Sequence, residues 1–168
     1  MKRVVIAVAL SMLAAAAFAN GGHGGPGGPG DLGRGGAYEE LIIGSEGSVY
    51  FVDDTTLVAV NPSGAVAWRA TLDSARTRVE LSGSNLIALT TTAATTTTAA
   101  SSKLTAIAAS SGATAWTLTL DGIVTSLRPF NGGTYAVVVT PAATAGAEPT
   151  HTLVAISNSG AVLWRFTL

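Results

Sequence analysis

A chain of 168 residues with 9 Lys and Arg, 10 Asp and Glu and no Cys carries a formal net charge of −1. That balance excludes a binder of nucleic acid or anionic membranes, which needs clustered Lys and Arg; the missing thiols exclude disulfides and thiolate metal sites. Only 11% of residues are charged, and Thr, Ala and Ser fill the polar positions in place of Lys and Glu, which favours strands over exposed helices.

The chain opens on the cationic head Met1-Lys2-Arg3, the apolar run VVIAVALSMLAAAAF and the small residues of Ala17-Phe18-Ala19. Together these predict a secretory signal peptide over residues 1–19, cleaved after Ala19. The run is shorter than the roughly 20 residues of a spanning helix, so no membrane span is expected after cleavage. No cysteine follows the cleavage position to accept a lipid. The mature chain, Asn20 to Leu168, is therefore expected in the periplasm or outside the cell. Its seven basic and ten acidic residues leave a net charge of about −3.

Residues 20–37 are dominated by Gly, with Pro26 and Pro29 among them. Such a segment has almost nothing apolar to bury, which predicts a flexible spacer. From Tyr38 onward, short apolar runs alternate with Gly, Ser, Asn and Pro clusters, the pattern of many short strands. Trp68, Trp116 and Trp164 recur every 48 residues, as do Gly64, Gly112 and Gly160. This period divides 38–168 into three units, about 38–78, 79–122 and 123–168. Four strands are predicted in each: near 41–43, 48–52, 56–60 and 65–72; near 79–81, 85–92, 104–108 and 113–120; near 123–127, 134–140, 152–157 and 161–168. Three four-stranded antiparallel units at this period predict an all-β fold, a partial β-propeller of three blades.

The phrase that repeats is AVNPSGAVAW (Ala59 to Trp68), AIAASSGATAW (Ala106 to Trp116) and AISNSGAVLW (Ala155 to Trp164). It reads as the hairpin between the third and fourth strands, with Gly closing the turn at positive φ. Simple alternation then places Val66, Trp68, Ala70 and Leu72 on one face. It does the same for Thr114, Trp116, Leu118 and Leu120, and for Val162, Trp164, Phe166 and Leu168. A large ring per blade fills the space between neighbouring sheets, and burying a Trp removes on the order of 200 Å² from water.

These phrases resemble the tryptophan-docking repeat A-x-D-x-x-x-G-x-x-x-W of the quinoprotein-type (PQQ-like) β-propellers. The second copy has that length and carries Ala108 where the family has Asp. The first and third copies are one residue shorter before Gly, with Asn61 and Ser157 at the polar position. The resemblance covers about 38–168 and implies blades. The family includes quinone- and calcium-dependent dehydrogenases of eight blades and non-catalytic scaffold propellers. No cysteine is present for the vicinal disulfide that some of the dehydrogenases stack against their quinone. No catalytic-Asp or calcium-ligand motif matches either, and three blades do not enclose an axial pocket. A non-enzymatic protein with no cofactor and no metal is expected, its alternative being a subunit or remnant of a larger propeller with an axial ligand.

Isolated candidates for chemistry lack companions. His23 lies in the spacer and His151 at the entrance to a strand, neither with spaced ligands for a metal. Asp53-Asp54 reads as a turn, because Asp bonds its own backbone there, and it lacks the spacing of a calcium loop. A Ser–His–Asp set drawn from His151 and Asp121 has no G-x-S-x-G elbow to support it. Arg69 and Arg165 follow their tryptophans, with Thr117 between them in the middle unit; stems along the sheet are the expectation. Thr90 to Lys103 reads as a strand extension followed by a loop, and Pro141 to Thr150 as the matching loop of the third unit.

Trp164, Phe166 and Leu168 end the last strand with no predicted blade to cover them. A protein partner, or self-association through this terminal blade, is expected there. Export is tested by N-terminal sequencing of protein recovered from the cell envelope or medium. The first residue is expected near Asn20, and recovery from the cytoplasm beginning at Met1 would refute cleavage.

Overall fold

The computed structural model describes residues 41–75, 77–142 and 147–168. The signal peptide at 1–19, the spacer at 20–37 with His23, and the start of the first unit at Tyr38 lie outside the described residues. Within them, twelve strands form three separate four-stranded sheets, each an antiparallel meander in chain order. The first sheet comprises β1 (Ile42–Ile43), β2 (Val49–Asp53), β3 (Thr56–Val60) and β4 (Val66–Thr71). The second comprises β5 (Arg78–Ser82), β6 (Asn85–Thr92), β7 (Ser101–Ala108) and β8 (Thr114–Asp121). The third comprises β9 (Ile123–Phe130), β10 (Gly133–Thr140), β11 (Thr150–Ser157) and β12 (Val162–Thr167). The protein is a partial β-propeller of three blades, and its sheets do not close a ring.

Two strands run further than the sequence pattern implies. Ser101 to Lys103 belongs to β7 and pairs with Thr92 to Thr90, so the expected loop shrinks to residues 93–100. Thr and Ser satisfy a strand as well as a loop, which is why polarity misplaced this boundary. β9 continues through Pro129, opposite Thr134. Proline is tolerated because β9 is the edge of its sheet and needs no donor on its outer side.

The simple alternation expected for the last strand of each blade fails at one residue. A register shift falls between Ala59 and Val60, between Ala106 and Ile107, and between Ala155 and Ile156, so every blade carries a bulge just before its Trp. Val66 therefore opposes Val60, and Val162 opposes Ile156, while each Trp opposes Ala. Val162 packs into the core between the second and third blades, across the sheet from Trp164. A bulge bends its strand and re-aims the side chain beside it. From Trp onward the expected grouping holds, because pairing is regular beyond the bulge.

Two apolar layers hold the blades together. Tyr50, Leu57, Ala59 and Leu72 of the first blade meet Val79, Leu86, Ala88 and Ile107 of the second. Ile87, Leu89, Leu104, Ala106 and Leu120 of the second meet Val124, Leu127, Ala136, Val138, Val154 and Ile156 of the third. Buried hydroxyls reinforce the second layer: Ser82 Oγ donates to the Gly133 carbonyl at 2.8 Å and accepts from Thr134 Oγ1 at 2.9 Å.

The repeated tryptophan seats each blade on the next. Trp68 Nε1 donates to the Ala109 carbonyl at 2.9 Å. Its ring covers Gly112, where an added Cβ would stand 2.6 Å from Cε3. Trp116 repeats the contact one blade on, donating to the Asn158 carbonyl at 2.8 Å and covering Gly160. Gly112 and Gly160 also take φ of +73° and +84°, the left-handed region. Glycine serves twice here, for the turn and for the approach of the ring.

A double-mutant cycle separates those two roles. Gly112→Val is expected to cost about 3 kcal/mol, from positive-φ strain and the clash with the Trp68 ring. In a Trp68→Ala background the same change should cost about 1–2 kcal/mol, the strain alone. Chemical denaturation measures both, and equal costs would show that the ring is not the obstacle.

Candidate functional site

The surface that sets this molecule apart is the outer face of the third blade. Strand pairing aligns three equivalent triads: Tyr50, Ala59 and Trp68; Ile87, Ala106 and Trp116; Tyr135, Ala155 and Trp164. In the first blade the rings of Tyr50 and Trp68 lie 5.9 Å apart, and both side chains reach the Ala109 carbonyl, Tyr50 Oη at 3.4 Å. In the third, the rings of Tyr135 and Trp164 lie 5.7 Å apart in the same tilted arrangement. Phe130 stacks on Tyr135, their ring centroids 4.3 Å apart. The aromatic face is thus assembled before anything covers it.

Position by position, burial shows what is missing. Leu72 and Leu120, four residues after their tryptophans, are 6% and 1% exposed, whereas Leu168 at the same offset is 68% exposed. Phe166 is 61% and Trp164 44% exposed, although Trp68 and Trp116 are half-buried. Among the described residues no strand lies against this face. Tyr135 and Phe130 were not legible in the sequence. Tyr50 precedes its Trp by fewer residues than Tyr135 does, because the loops between strands differ in length, and only the ladder aligns them.

The opposite end of the array presents the complementary element. Gly64 holds φ +81°, and among the described residues other than its two chain neighbours no atom comes within 4 Å of where its Cβ would stand. Asn61 Oδ1 fixes this turn, accepting from the Ser63 and Ala65 amides at 3.0 Å each and from Ser63 Oγ at 2.7 Å. Ser157 Oγ holds the third turn similarly, accepting from the Ser159 and Ala161 amides. Ala108 cannot do this, and there the longer turn closes through the Gly112 amide to the Ala108 carbonyl at 2.8 Å.

The remaining candidates stay apart. Asp53 ends β2, and Asp54 takes φ +53° in the hairpin to β3, as expected for an Asp turn. Arg69 and Arg165 are exposed on different blades, opposite Val58 and Val154, and share no site. His151 is exposed near the start of β11, opposite Val139. Among the described residues no group of three His, Cys, Asp or Glu converges as metal ligands. A cleft of about 280 Å³ between the first two blades is lined by Thr71, Thr90, Thr105 and Thr117. At its rim Lys103 Nζ pairs with Asp73 at 2.9 Å. This exposed ion pair is the charged part of the cleft lining among the described residues.

No protein-family model matches the chain, and no curated protein matches it in sequence. Among the described residues no helix is long and apolar enough to cross a membrane. Metal analysis of the purified protein is expected to return well under one equivalent of any divalent ion, with no quinone absorption band. A stoichiometric metal or quinone would overturn the ligand-free reading.

Proposed function

We propose that this chain is an exported, non-enzymatic propeller-repeat protein of the quinoprotein-like type that binds protein through the outer face of its third blade. One observation carries the reading: Trp164, Phe166 and Leu168 occupy positions that are covered in the other blades and stand exposed here. A contiguous apolar patch of this kind on a soluble protein marks an interaction surface. Its aromatic content suits protein recognition, since Trp, Tyr and Phe concentrate at the centres of such interfaces. Export rests on the N-terminal leader, and kinship with the quinoprotein-like repeats rests on the three Gly–Trp phrases.

Site-directed photocrosslinking in the producing cell tests the binding role. A photoreactive phenylalanine at position 166 is expected to yield discrete protein adducts, while the same group at exposed Thr119 yields none. Absence of adducts at 166 would remove the binding role. Adducts at both positions alike would deny it to this face.

A further inference from the structure

The two ends of the blade array are the two halves of one contact. Trp68 and Trp116 each find, on the following blade, a positive-φ Gly under the ring and a carbonyl for the indole N–H. That carbonyl belongs to the third residue after the Ala that faces the same blade's own Trp: Ala109 after Ala106, Asn158 after Ala155. Counted the same way from Ala59, the first blade offers Pro62. Pro62 and Gly64 are exposed on a turn whose Asn61–Ala65 backbone bond, at 2.9 Å, matches the 2.8 Å bonds of the other two turns. Among the described residues, the Trp164 indole is a donor without an acceptor and the Pro62 carbonyl is an acceptor without a donor.

Resting on the protein-binding reading above, we infer that the occupant of the Trp164 face is a second copy of this chain, docked head to tail. Trp164 of one copy covers Gly64 of the other and donates to its Pro62 carbonyl, while Tyr135 takes the place that Tyr50 holds beside Ala109. The triad argues for this occupant specifically. The aromatic pair of the third blade has the spacing and tilt of the pair in the first blade, which is already docked on such a turn. The receiving sheet is apolar as well: Val49 and Val60, both half-buried, occupy the positions that Leu86 and Ile107 hold on the second blade, and Val58, itself buried, occupies that of Thr105.

Closed propellers run from roughly four to eight blades. The only multiple of three in that range is six. Two copies of the three described blades, joined by two identical junctions, make a ring of six, the closed outcome of a head-to-tail contact, whereas a rotation that did not close would give an open filament.

Light scattering on the purified 168-residue chain, with cleaved leader if it is removed, is expected to give twice the chain mass. Trp164→Ala and Gly64→Asn should each halve that mass while leaving the circular dichroism of the fold intact. Asn is chosen because it tolerates the left-handed region. Mixing the two variants should restore a two-copy species, since the intact tail of one then meets the intact head of the other. Restoration is unique to the head-to-tail arrangement.

A dimer that survives Gly64→Asn would mean tail-to-tail contact and would overturn the inference, as would a filament or a wild-type monomer. In the monomer case, adducts to a different protein at position 166 would leave the binding role standing and remove only the second copy. If either variant unfolds, Gly64→Ala and Trp164→Phe serve in its place. The first should weaken dimerisation through the added Cβ alone, the second through loss of the indole donor alone. Unchanged mass for both would overturn the inference.

Discussion

An indole ring lying on a glycine is the contact on which this architecture depends. A flat sheet face cannot by itself dictate where its neighbour sits, because apolar burial is non-directional. The Trp N–H to carbonyl bond supplies direction, and the missing Cβ supplies the closeness. Together they set one blade against the next in a fixed register, twice over, through Trp68 and Trp116. The contact is polar in the topological sense: the ring comes from one blade and the glycine and carbonyl from the next. An array built this way has unlike ends, whatever its length.

The three turns show how much local variation that contact absorbs. The second turn is one residue longer than the others and lacks a polar residue where Asn61 and Ser157 brace theirs. The accepting carbonyl is nevertheless delivered to the same place, because it is counted from the strand and not from the glycine. The bulge beside each Trp has the same logic, since it breaks the ladder at one residue in all three blades and thereby orients the ring. Strand geometry supplies the register, and the loop closes as its length allows.

Charge contributes little between the blades. Lys103 with Asp73 and Arg128 with Glu80 bridge at the rim, while Arg78 meets Glu80 within its own strand, and all three cations are substantially exposed. Exposed pairs of this kind contribute about 0–1 kcal/mol each. Apolar burial and a few hydroxyl bonds carry the association instead, and the same chemistry is displayed, unspent, on the outer face of the third blade.

Fold class, blade count and the positions of the docking residues were legible in the sequence because they repeat at a fixed interval. Gly64, Gly112 and Gly160 and their tryptophans announce themselves by spacing, and strand composition does the rest. The shared face of Trp164, Phe166 and Leu168 was legible too, from their alternation along one strand, and all three are exposed. Tyr135 and Phe130 were not, since unequal loops scatter the first-blade and third-blade tyrosines to different offsets and only cross-strand pairing superimposes them. The bulges were equally hidden: a one-residue slip leaves the composition of a strand unchanged while moving Val66 and Val162 to the opposite face. Above all, the sequence pairs each Gly with the Trp of its own hairpin, four residues on. Tertiary structure decided that the ring lands on the glycine of the next blade, because that partner lies a whole sheet away along the chain and only stacking brings it within reach.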